Sequence, residues 1–188
     1  MKYPELLRNR RSIRNFEDRE VDIDVIKEII KESTLAPSAS NGQPWRFIII
    51  NNREVIRRIS DESKKNLLAD MKDVPDAPSK NYEGVLKTEN FNVFYNAPCL
   101  VIIAGERGRR HLAFDIALCA SYMMLGAAAR GLGTCWVAMG AAIRSSDLRD
   151  EIGLADNLEA IAPIIIGYPK MIPTAPPRNE PAILKVIS

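Results

Sequence analysis

Histidine is nearly missing from this chain: His111 is the single one in 188 residues. That leaves little room for a histidine-based metal site or for serine–histidine and cysteine–histidine catalysis. Cysteine is sparse as well. Cys99, Cys119 and Cys135 are odd in number, lack metal-ligand spacing and stand among apolar neighbours. They read as reduced, buried thiols of a cytoplasmic protein, and no metal is expected. Surplus charge is missing. A net charge of +2 is too small to argue for nucleic acid or an anionic membrane surface as a partner. Apolar stretches such as "APCLVIIAG" are too short to span a bilayer, so no membrane is expected. "MKYPELLRNRRS" lacks the apolar core of a secretory signal. No repeat, nucleophile elbow, HExxH or P-loop occurs. "GLGTCW" fails as a dinucleotide fingerprint, because its glycines end a helix and open a strand, the reverse of the required order.

What is present suits one domain over residues 1–188, with 46% hydrophobic and 27% charged residues. Tyr3 to Asn9 reads as a short helix. Asp22 caps a second helix with Val25, Ile26, Ile29 and Ile30 on one stripe, and Pro37 ends it. "RFIIIN", "APCLVIIAG", "TCWVAMG" and "LEAIAPIIIG" read as strands. Pro163 in the last favours an edge or a bulge. Residues 54–71 have a weak helical rhythm, with a break expected near Ser60–Asp61. "KDVPDAPSKNYEGVLKTEN" reads as a long loop. His111 to Arg130 is a helix apolar on nearly every side, which must be covered all round. Ser146 is expected to cap a short helix. After Gly167 the proline-rich tail has no core of its own and reads as an arm lying over a neighbour.

Three stretches carry candidate chemistry. In "RNRRSIRNF", Arg10, Ser12 and Arg14 alternate, so extended backbone would turn all three toward one anion. A solvated basic turn is the alternative. In "LAPSASNGQPWRF", Asn41 and Gln43 each offer a donor and an acceptor, the mixed pattern that a heterocycle edge requires. Gly42 admits close backbone approach, and Ser38 and Ser40 add hydroxyls. The alternative is a loop that satisfies its own backbone. Trp45 reads as a core anchor. The strand end at Met139 and Gly140 could present backbone groups to a ligand. His111 and Asp115 lie one turn apart, either as a catalytic pair or as a structural bond at a helix start. "GERGRRH" reads as a solvated basic turn or as a contact for a nicotinamide cofactor's phosphate.

"RRSIRNF" followed about two dozen residues later by "APSASNGQPWRF" resembles the nitroreductase family of FMN flavoproteins. "FYNAPCLVIIAG", "GLGTCWVAMG", "IIGYP" and Arg178 in the tail are similar to that family too. The resemblance implies an α+β fold with a central mixed sheet flanked by helices. It implies an intertwined homodimer in which residues 168–188 form an arm packing on the partner subunit. It implies FMN as cofactor, NADH or NADPH as electron donor, and a small-molecule electron acceptor such as a nitroaromatic or a quinone. Carried over by position, Arg10, Arg11 and Ser12 would hold the FMN phosphate and ribityl chain, and Arg14 would face the flavin N1–C2=O edge. Pro37, Ser38, Ala39, Asn41 and Gln43 of the other subunit would line the ring and ribityl chain. Met139 and Gly140 would serve the N5–O4 edge, and Arg178 the phosphate. Lys65 and Asn66 are the nearest candidates for a helical Asn/Lys pair that touches flavin in larger relatives. The alternatives on this scaffold are dehalogenation, alkene reduction, or a flavin store without turnover.

Overall fold

The computed structural model describes residues 2–73 and 78–187. Its helices are α1 (Tyr3–Asn9), α2 (Ile23–Ser33), α3 (Arg53–Asp73), α4 (Glu83–Leu86), α5 (Leu112–Ala129) and α6 (Ser146–Glu151). Its strands are β1 (Arg46–Ile50), β2 (Cys99–Glu106), β3 (Gly133–Trp136) and β4 (Leu158–Gly167), in the spatial order β1-β2-β4-β3. All three pairings are antiparallel. The expected mixed character is confined to one isolated parallel bridge, Ser12 with Thr134.

Period two in β2 divides the core. Cys99, Val101 and Ile103 face the layer of α2 and α5, while Leu100, Ile102 and Ala104 face the opposite layer with Ile56 and Ile59 of α3. Burial pushes the Cys99 thiol up to about 12, so it is an inert core group. Cys119 and Cys135 are also buried and free. Asp22 caps α2 as expected, accepting from the Asp24 N–H at 2.8 Å. Ser145, one residue before the expected Ser146, precedes α6.

Three expectations are corrected. α3 is unbroken at Ser60–Asp61. Ser60 is buried, and its Oγ accepts the Val93 N–H at 3.0 Å, so a tertiary contact uses the residue that looked like a breaker. The stretch expected as one long loop contains a 3₁₀ turn over Pro78–Tyr82 and then α4; its residues 74–77 lie outside the described residues. The nearly buried Lys64 fastens the following turn, because its Nζ donates to the carbonyls of Thr88, Glu89 and Phe91 at 2.9 to 3.1 Å. Pro163 is on an inner strand rather than an edge. It sits just past a bulge, since Ile103 faces Ala162 while Ala104 faces Ala160, and β3 has already ended beside it.

α5 is, by length and composition, apolar enough to cross a bilayer, unlike the stretches weighed above. In this fold its Leu112, Ile116, Cys119, Ala120, Met123 and Ala127 belong to the core. Phe114, Leu118 and Tyr122, spaced four apart, form an exposed stripe at 70%, 42% and 44% accessibility. The tail is bare as well. The Lys170 N–H donates to Asn15 O, and beyond it residues 171–187 are all exposed and belong to no helix or strand.

Candidate functional site

The segment after α1 runs extended beside β3. Ser12 bridges Thr134, and the Ile13 N–H donates to Thr134 O at 2.9 Å. Extended backbone alternates its side chains. Ile13 therefore points into the core, while Arg10, Ser12 and Arg14 line one cleft of about 370 Å³. Cys135 and Trp136 of β3 share its wall, and Ser121, Met124 and Leu125 of α5 close another side. Arg11 has the opposite parity and does not join them. Its Nη1 donates to Arg8 O and, at 2.7 Å, to Arg10 O, serving carbonyls at the end of α1.

Among the described residues no carboxylate stands within ion-pair distance of Arg10 or Arg14. The Arg14 guanidinium lies 5.7 Å from the Tyr95 ring centroid, a cation–π contact that leaves its donors available. Trp136 Nε1 is buried and has no acceptor. Burial raises the Cys135 thiol, against the opposing pull of Arg14, Ser12 and Arg10. It stays protonated at neutral pH and is no nucleophile. The cleft is thus a cationic, donor-rich pocket.

Its geometry depends on Gly133. A Cβ there would stand 2.6 to 2.9 Å from three Ile13 side-chain atoms, and Ile13 sits between Ser12 and Arg14. Gly133→Ala is expected to lower stability by about 1–3 kcal/mol, the usual effect of overpacking, and to shift the arginines. Chemical denaturation measures the first and ligand titration the second; a variant unchanged in both would contradict this packing.

The 37–43 loop lies elsewhere on the chain. Ser40, Asn41 and Gln43 hold positive φ of 51°, 52° and 42°, strained values for residues other than glycine. Ser38 Oγ accepts the Gln43 N–H at 3.0 Å, and Gln43 Nε2 donates to Asn41 Oδ1 at 3.2 Å. Pro37, Ala39, Asn41 and Gln43 are exposed, whereas Trp45 is buried as the expected anchor. The loop is fixed from below. Asp115 Oδ1 accepts the Ala39 N–H at 2.9 Å, so the Asp115 carboxylate serves this loop rather than the His111 ring.

Met139 and Gly140 form a 3₁₀ turn after β3, and Gly140 packs against the Phe94 ring. The Gly140 N–H donates to Val137 O at 2.9 Å, so it is committed and not open to a ligand. Asn66 is committed too, donating to Glu62 Oε1 and to Ala142 O, both at 2.8 Å. Burial would raise the Glu62 carboxyl, but hydrogen bonds from Asn66 and from the Ser145 N–H leave it below the usual carboxylate range. Lys65 belongs to a different, charged cleft with Arg58 and Glu151. Arg178 is exposed on the tail.

α5 measures the separation of the two halves. The loop is pinned at Asp115 and the cleft wall runs from Ser121 to Leu125, beginning almost two turns on, roughly 9–15 Å along a helix. The loop of one chain therefore stands well away from the cleft of that same chain. Sequence reasoning found Arg10, Ser12 and Arg14 from their alternation. It missed Cys135, Trp136 and the α5 wall, because nothing local announces which strand receives the segment.

A helix-flanked antiparallel sheet with an arginine cleft at one edge strand defines an α+β domain. The model of the nitroreductase family matches residues 7–168, and the chain belongs to that family. A protein of Archaeoglobus fulgidus provisionally named NADH dehydrogenase/NAD(P)H nitroreductase is 24% identical over 171 residues, covering 88% of this chain and 84% of its own. The iodotyrosine deiodinase of Thermotoga neapolitana is 26% identical over 192 residues, covering 94% and 93%. A crystal structure of a nitroreductase with bound FMN from Bacteroides fragilis has the same fold, with a TM-score of 0.82 and 19% identity over the whole of both chains.

Proposed function

We propose that this protein is an FMN-dependent oxidoreductase working as a homodimer. The observation that carries the proposal is the convergence of Arg10, Ser12 and Arg14 on one cleft without a carboxylate partner. Two guanidinium groups and a hydroxyl suit a phosphate and a polyol. Bound FMN would supply a two-electron carrier at N5, taking hydride from NADH or NADPH and passing it to a nitroaromatic, quinone or similar acceptor in alternating half-reactions. Membership of the nitroreductase family supports this reading.

The protein's part is binding, orientation and field. Arg10 and Ser12 would hold the phosphate and ribityl chain, with Arg178 of the arm as a further cation. Arg14 would place fixed positive charge at the N1–C2=O edge, which favours the anionic reduced form. The stripe of Phe114, Leu118 and Tyr122 would pair with its copy in antiparallel fashion. That pairing would set the 37–43 loop of one chain beside the arginine cleft of the other, closing the roughly 9–15 Å that separates them within a chain. Pro37, Ser38, Ala39, Asn41 and Gln43 would then line the ring from the partner side. Met139 would flank the N5 side, with Gly140 giving only its close approach.

Anaerobic addition of NADH and then NADPH to the FMN-loaded protein tests the reading. Bleaching of the flavin bands, followed by recovery when a nitroaromatic or a quinone is added, is expected. Bands that neither donor bleaches would point to a flavin store. Arg14→Ala is expected to keep FMN but lower its midpoint potential, measured by dye-coupled redox titration; an unchanged potential would remove Arg14 from the ring edge. The deiodinase relative favours reductive dehalogenation as a second reading, tested by iodide release from 3-iodotyrosine.

A further inference from the structure

We infer that Asp115 is the positioning residue of the flavin loop, acting through the Ala39 backbone rather than on the ligand. Asp115 is 3% exposed and is the single buried acid among the described residues. It sits in the first turn of α5, where the helix dipole favours a carboxylate. Its Oδ1 accepts the Ala39 N–H at 2.9 Å across 76 positions of sequence. Its Oδ2 is buried and has no partner, so the whole hydrogen-bonding role of this costly group is spent on that one amide.

The loop needs such an anchor. Three of its residues hold positive φ without being glycine, a conformation that persists only where the surroundings impose it. The other hydrogen bonds of residues 38–43 among the described residues are internal to the loop: Gln43 N–H to Ser38 Oγ, Gln43 Nε2 to Asn41, Asn41 N–H to Ser38 O and Gly42 N–H to Ala39 O. These bonds shape the loop, and the buried Pro44 and Trp45 hold its far end. The Asp115 bond fixes its distance from the α5 wall. Because α5 is one rigid helix, this bond would also set how far the loop reaches into the partner's cleft. The inference rests on the flavin reading for its consequence, though not for the bond itself.

Two variants and two readouts test it. Asp115→Asn keeps an oxygen that can accept from Ala39, and Asp115→Ala keeps none. In the FMN-free protein, hydrogen exchange at the Ala39 amide should accelerate at least about tenfold in Asp115→Ala and stay near wild type in Asp115→Asn. FMN dissociation constants should follow, about tenfold weaker in Asp115→Ala and within about threefold of wild type in Asp115→Asn. Unaltered Ala39 exchange in Asp115→Ala would overturn the anchor. Equal loss of FMN affinity in both variants would overturn it as well, because charge rather than the bond would then matter. If wild type itself fails to bind FMN, the flavin reading falls, while the exchange measurement still decides the role of Asp115.

Discussion

Arg10→Ala should bind FMN roughly ten- to hundredfold more weakly than wild type, the equivalent of losing one charge-assisted hydrogen bond worth about 1.5–3 kcal/mol. The size follows from the site. Arg10 shares its cleft with Ser12 and Arg14, and no carboxylate within ion-pair distance competes for its guanidinium among the described residues. A phosphate entering there would meet a cation that has no salt bridge to give up, so the full charge-assisted bond is gained on binding. Arg107→Ala is the matched control. It removes the same charge, but its Nε serves Asp156 O at 2.9 Å, in the turn that follows β2. Quenching of flavin fluorescence reads both variants. Equal weakening would mean that diffuse positive charge, and not the cleft, holds the ligand.

Removing residues 172–188 should convert the proposed dimer into a monomer and abolish the proposed FMN retention. Ile172, Ile183, Leu184, Val186 and Ile187 are 65% to 97% exposed on a single chain. An apolar side chain of this kind contributes about 1.5–3 kcal/mol when fully buried, so five of them on one arm offer the proposed partner a surface to cover. The exposed stripe on α5 marks a second such surface. The arm also carries Arg178. Truncation leaves the sheet intact, because the Phe16–Pro169 bridge and the bond from the Lys170 N–H to Asn15 O both precede the cut. Light scattering and the visible spectrum read the outcome. A truncated protein that stays dimeric and yellow would show that the arm is dispensable and that α5 alone makes the interface.

The fold was legible wherever burial follows a local period. β4 and α1 occupy the expected residues, and the stripe of α2 contains the buried Ile26 and Ile29. Legibility failed where one distant group decides. Ser60 looked like a helix breaker because its partner, the Val93 N–H, is 33 positions away. Lys64 carries no local signal of its role, which is to gather three carbonyls of the turn beyond α4. At the site, the alternation of Arg10, Ser12 and Arg14 was readable because backbone geometry alone produces it. Arg11 was included by motif and is set apart by the same alternation. Asp115 read as the partner of the nearby His111, whereas its partner is the Ala39 amide.

The most direct test of the central claim is the visible spectrum of the protein after incubation with free FMN and removal of unbound flavin. The account predicts flavin bands at about one FMN per chain in wild type, with most of that signal lost in Arg10→Ala. A colourless wild-type protein would contradict it, and the arginine cleft and the 37–43 loop would then serve some other ligand.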